Sequence, residues 1–176
     1  MRVVVPATPR GLHPLTVPAI LEAGYVAEVH PMLIQESYWE LLRGLWDEGN
    51  TFAIVEHDIG VTRDQLFALE DCSRPWCAFS YEVYAGDLAA AYGGPYGLGC
   101  TRFRYEILQK IPGAVEEAGT YDQHPVHPPR SYAVMDSTLT RVLRSHGHEP
   151  HQHFPNVVHR HVYNRANAFV PAPVES

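Results

Sequence analysis

Short apolar runs alternate along this chain with stretches of helical periodicity. Arg2-Val3-Val4-Val5 is a β-branched run ended by Pro6, and a Pro/Gly/Thr-rich loop separates it from Val17 to Ala23, a helix closed by Gly24. Tyr25 to Val29 alternates as a second strand. Gln35 to Glu48 then carries Tyr38, Leu41, Leu42, Leu45 and Trp46 at helical spacing, with Gly49 as its stop. Phe52-Ala53-Ile54-Val55 is again of strand type and breaks off on two acids that flank a histidine, Glu56-His57-Asp58. A strand buried on both faces, whose first polar residues emerge at its carboxyl end, places them where open α/β sheets bind ligands.

The pattern continues in the same alternation. Thr62-Arg63-Asp64-Gln65 has the form of a capping box opening a helix through Leu69. Trp76 to Tyr84 reads as a strand with Cys77, Phe79, Tyr81 and Val83 on one face, and Gly93 to Gly99 as a glycine-rich loop of the kind that closes over a site. Thr101 is placed to cap a helix over Phe103 to Lys110, and residues 113–131 show no periodicity. Tyr132 to His146 returns to helix with the stripe Met135, Leu139, Val142 and Leu143, stopped by Gly147. Val157 to Val162 alternates, which puts His159 and His161 on one face of a short strand. Strands alternating with helices predict an α/β fold, a three-layer sandwich around a mostly parallel central sheet. One domain over 1–165 and a C-terminal tail over 166–176 are expected.

Composition narrows this. In 176 residues, 45% are hydrophobic and 19% charged, a globular profile in which about 70% of the unfolded surface can be buried without staples. The net charge of -7 disfavours a nucleic-acid backbone as partner. Cys72, Cys77 and Cys100 form an odd set with no CxxC pair, so neither a disulfide framework nor a zinc knuckle is implied. With neither a signal-peptide pattern nor an apolar run of about 18 residues, a cytoplasmic protein with no membrane partner is expected.

The eleven histidines change the picture more. Glu56 and Asp58 are two apart, so strand periodicity would turn both carboxylates to one side as oxygen ligands for a divalent cation or for ribose hydroxyls. The alternative is a solvated turn. His151, His153, His159 and His161 contain two pairs at the same spacing, and neutral imidazoles suit Mn better than Mg. The competing reading makes them surface residues or caps.

In the order and spacing of these motifs the chain resembles nucleotide-sugar-dependent glycosyltransferases of the GT-A fold, in particular small, family-2-like ones of bacteria and their phages. Val3-Val4-Val5-Pro6-Ala7-Thr8 resembles the first strand and nucleotide-binding loop, and Ile54-Val55-Glu56-His57-Asp58 the strand ending in a DxD-type motif. Tyr96 to Phe103 resembles the later loop and strand, including Gly97. Asp136 stands where the family often keeps an acid, and His159 or His161 resembles its late metal ligand. The chain departs from the family in having Glu56 as first acid and in being shorter than most members.

The resemblance implies a donor site made of Pro6, Ala7, Thr8, Glu56, His57, Asp58 and Gly97, for a nucleoside-diphosphate sugar such as a UDP-sugar. It implies Mn or Mg held by Asp58 and by His159 or His161, and Asp136 as general base toward an acceptor hydroxyl if the transfer inverts configuration. His57, between the acids, is expected to point away and to be structural. The acceptor can be a protein, a glycan, a small molecule or a modified nucleobase; donor sugar, base and stereochemistry stay open. Two other readings compete: a metal-dependent hydrolase using the histidine cluster, and a non-catalytic nucleotide-sugar-binding module. Asp136 has a plainer alternative as a charge near a helix N-terminus.

Overall fold

The computed structural model describes residues 1–9, 11–80, 97–121 and 127–159. Its first strand, β1 (Arg2–Ala7), is the valine run; Val3, Val4 and Val5 are all fully buried, as a strand covered on both faces must be. Helix α1 (Thr16–Glu22) leads to β2 (Ala27–Pro31), which pairs parallel with β1. Helix α2 (Ser37–Glu48) ends at Gly49 in the left-handed conformation, φ 68°, and delivers β3 (Phe52–Val55) to the other side of β1, again parallel.

After a two-residue strand β4 (Ile59–Gly60), helix α3 (Arg63–Asp71) starts at the capping box, with Thr62 and Gln65 each satisfying the other's backbone N–H. Then follow β5 (Trp76–Phe79), β6 (Cys100–Phe103), α4 (Tyr105–Lys110), α5 (Ala114–Ala118), α6 (Tyr132–Ser145), β7 (His151–His153) and β8 (Val158–His159). The six-stranded sheet has the order β2-β1-β3-β6-β5-β7, with β6 alone running against the other five; β4 and β8 form a separate antiparallel ribbon.

Side-chain alternation divides the interior into two cores. Val4, Phe52, Ile54, Trp76 and Phe103 face α2, α4, α5 and α6, where the Trp39 and Trp46 indoles donate to the carbonyls of Val115 and Ile111. Val3, Val5, Ala53, Val55, Cys77 and Phe79 face α1 and α3. The fold is thus a three-layer α/β sandwich with a mostly parallel central sheet, as the alternation of elements predicts.

Two local readings are corrected, and one strand is added. Thr101 is no helix cap: it lies fully buried in β6, paired with Ile54 and Ala78, and α4 begins at Tyr105 after extended Arg104. A four-residue strand inserted antiparallel between two others draws its order from both neighbours, which local periodicity does not register. The stretch 113–131 is not wholly irregular, since α5 forms within it around the buried Ala114, Val115 and Ala118. Residues 151–153 pair as an edge strand with β5. Tyr81, Val83, His161, Gly93 to Tyr96 and the 166–176 tail lie outside the described residues.

Candidate functional site

The carboxyl ends of β1 and β3 converge on one edge of the sheet. Strand β3 stops at Val55, and its pairing is carried one residue further by the Glu56 N–H, which donates to the Gly99 carbonyl at 2.8 Å. The chain then turns, with the Ile59 N–H donating to the Glu56 carbonyl at 3.1 Å. The triplet is therefore a turn, but not a solvated one: Glu56 and His57 are buried and Asp58 is largely so.

Because the strand ends at Val55, its periodicity does not run through the triplet, and the two carboxylates engage different partners. Glu56 keeps to the face of Phe52 and Ile54 and accepts a hydrogen bond from the Tyr38 hydroxyl of α2 at 3.0 Å. Asp58 Oδ2 meets His159 Nε2 of β8 at 3.2 Å, and β8 is held there by its pairing with β4, Ile59 opposite His159. Asp58 Oδ1 is shielded from solvent and receives no hydrogen bond from the described residues.

His57 turns to the end of β1, where its Nε2 lies 2.8 Å from Thr8 Oγ1, so the two loops expected to bind nucleotide are tied together. Pro6 and Ala7 belong to β1 itself, paired with His30 and Pro31, and Gly97 is half-buried two residues before the Gly99 carbonyl that pairs with Glu56. The loop after Thr8 folds back on the turn: the His13 N–H donates to the His57 carbonyl, and Thr16 Oγ1 donates to the Ile59 carbonyl at 2.6 Å. At Gly60 a Cβ would lie 2.6 Å from the His13 ring, so this close approach admits only glycine without displacement.

Asp136 joins Glu56 from the far side of the sequence. The Tyr132 N–H at the start of α6 donates to the Gln35 carbonyl at 2.9 Å, and its ring packs on Tyr38 at 4.9 Å, which fixes α6 against α2. Asp136, beyond the first helical turn, is half-buried and accepts from the Ser137 N–H at 2.6 Å. Burial pushes its carboxyl from the ordinary 3.8 up to about 6. Glu56 is raised well above the usual range by burial, then by the charges of Asp136 and Asp58, against the opposing Tyr38 hydrogen bond. Burial would raise Asp58 too, yet the His159 hydrogen bond and the charges of His57 and His159 outweigh it and hold the group below its ordinary range. Two acids shifted toward their protonated forms thus stand beside one shifted toward its charge.

Sequence reasoning missed Tyr38, which reads only as one apolar position of α2 and is instead the buried donor to Glu56. For Arg102 and Arg104 the sequence allows a phosphate contact or a structural role, and the structure shows structural contacts. Arg102 is buried, donating to the Arg74 carbonyl and to Cys77 Sγ, and Arg104 pairs with Glu106 at 3.2 Å. The three late histidines among the described residues do not form one group: His159 belongs to Asp58, while His151 and His153 lie on β7 beside Cys72 and Phe79.

The fold and this edge define a mixed α/β protein with an acid-and-imidazole site at the carboxyl ends of β1 and β3. No family model and no curated protein matches the sequence. Two solved structures resemble it in shape. One is a glycosyltransferase involved in the glycosylation of the major capsid of PBCV-1, at TM-score 0.48 and 11% identity over 94% of this chain and 96% of that one. The other is A197 from STIV, at TM-score 0.42 and 14% identity over 91% of this chain and 82% of that one. Neither carries a residue's role into this chain, and the site stands on its own geometry.

Proposed function

We propose that the protein is a metal-dependent glycosyltransferase that moves a sugar from a nucleoside-diphosphate donor to an acceptor hydroxyl. The observation that supports this best is the meeting of Asp58 with His159, one carboxylate oxygen shielded and unpartnered, beside the raised Asp136. Oxygen and imidazole donors 3.2 Å apart fit two neighbouring ligands of one octahedral ion, which stand about 3 Å apart. A bound Mn or Mg would there neutralise the diphosphate as leaving group. Asp58, held ionised, and His159 would hold the ion. Thr8 and His57, joined at 2.8 Å, set the loop expected to meet the nucleotide.

Asp136 takes the acceptor proton. With its carboxyl near 6 it is mostly ionised at neutral pH yet basic enough to accept, the compromise a general base needs. The acceptor oxygen bonds to the anomeric carbon as the bond from that carbon to the diphosphate breaks. Glu56, kept inward by Tyr38, stands beside Asp136 and favours its own proton. The separation of His151 and His153 from His159 weighs against the hydrolase reading, in which the cluster would gather on one ion.

Calorimetry with Mn and UDP, GDP or dTDP, followed by nucleotide release from the corresponding sugars, tests the proposal. Asp58→Asn should abolish metal-dependent donor binding with the fold intact; an unchanged Mn-nucleotide affinity refutes the assignment. Donor binding without nucleotide release, whatever the acceptor, would point to a binding module instead.

A further inference from the structure

Outside this edge, a second set of donors gathers between the end of α3 and the edge strand β7. Cys72 follows α3, and Cys77 and His153 come from β5 and β7; their donor atoms all lie within 4.8 Å of one another. His151, opposite Cys77 in the register, brings its Nδ1 to 3.4 Å from Cys72 Sγ. Sulfur and nitrogen sharing one tetrahedral zinc stand about 3.5 Å apart, from bonds of roughly 2.3 and 2.1 Å. The His153 ring is stacked on buried Phe79 at 5.0 Å, and its Nε2 is shielded with no hydrogen-bond partner among the described residues.

Arg102 is a buried donor aimed at one of the same sulfurs. Its guanidinium is buried, donates to the Arg74 carbonyl at 2.6 Å and to Cys77 Sγ at 3.4 Å, and makes no ion pair among the described residues. Glu70 feels the charge of Arg102 without pairing directly with it, and a buried cation without a contacting counter-ion is costly. A thiophilic cation shared by two sulfurs makes both of them thiolates, and the Arg102 fork then donates to charged sulfur.

We propose that Cys72, Cys77 and His153, with His151 as fourth donor, form a tetrahedral site for a thiophilic divalent cation of the Zn2+ class, separate from the donor set of Asp58. Binding forms two metal–sulfur and two metal–nitrogen bonds, and each thiol gives up its proton to solvent, two per ion. The site ties the end of α3 to β7, the strand from which the chain runs on to His159.

The test uses the full chain, reduced and stripped with a chelator, titrated with Co2+ and then Zn2+. One Co2+ per chain should give a thiolate-to-cobalt charge-transfer band, Zn2+ should displace it, and each Zn2+ should release about two protons at neutral pH. Losing a partner that merely orients a metal ligand costs 10–100-fold in affinity, so Cys72→Ser, Cys77→Ser and His153→Gln should each weaken Zn2+ binding by at least about a hundredfold. His153→Gln alters a half-buried edge position, so it keeps the test valid should a cysteine variant fail to fold. Asp58→Asn should keep the band and affinity, which separates this site from the proposed transferase centre. No band in the wild type, a band undiminished in His153→Gln, or its loss in Asp58→Asn would overturn the proposal.

Discussion

Asp136→Asn should make the protein more stable at alkaline pH while it removes transfer. The folded state lifts the Asp136 carboxyl from 3.8 to about 6, so across that interval the folded chain holds a proton that the unfolded chain has released. Stability must therefore fall as pH rises from about 3.8 to about 6, and the full penalty persists above. Two pKa units correspond to about 3 kcal/mol, and solvent access at a half-buried carboxylate trims this to about 2 kcal/mol. Asparagine keeps the shape and has no charge to desolvate. Urea unfolding at pH 4 and pH 8 should show variant and wild type nearly equal at the lower pH and the variant ahead by about 2 kcal/mol at the higher. Donor binding should persist while sugar transfer is lost. An advantage equal at both pH values, or a variant less stable at pH 8, would show that the acid pair is not strained by burial and remove the basis for Asp136 as a tuned base.

Asp58 has the opposite sign. Its folded carboxyl is depressed, so its contribution is present above the ordinary 3.8 and lost as pH falls below it; Asp58→Asn should flatten that acid limb of the unfolding profile. Tyr38→Phe leaves buried Glu56 without its hydroxyl donor and should cost about 1–3 kcal/mol in urea unfolding; wild-type stability would show the contact to be idle. Gly60→Ala drives a methyl into the His13 ring and should cost about 1–3 kcal/mol, with Mn-nucleotide affinity falling as the turn shifts. His159→Ala should abolish Mn-dependent donor binding, and an unchanged affinity would separate His159 from the site.

What the sequence made legible is local. The valine run of β1, the left-handed stops at Gly49 and Gly147, the capping box at Thr62 and the apolar stripe of α6 each depend on neighbours within one or two turns. The break of the apolar run at Glu56 also marked the carboxyl end of β3. The missed features are made by pairing. Strand β6 owes its burial to β3 and β5, Tyr38 meets Glu56 only when α2 lies on the sheet, and Cys72 and Cys77 acquire histidines because β7 pairs with β5. The equal spacing of His151–His153 and His159–His161 suggested one cluster, and the turn between β7 and β8 takes His159 to a different neighbour from His151 and His153.

The β4–β8 ribbon makes the Asp58 site late to assemble. Its two halves lie about a hundred residues apart in the chain, so closing that loop is slow relative to forming α2 or the β1–β2 pair. Acid and imidazole are brought together across a strand pair two residues long, outside the main sheet. Such a pair can open while the six-stranded sheet stays intact, which makes ion affinity a report on local opening, and hydrogen exchange at Ile59 and Gly60 should be faster than in β1.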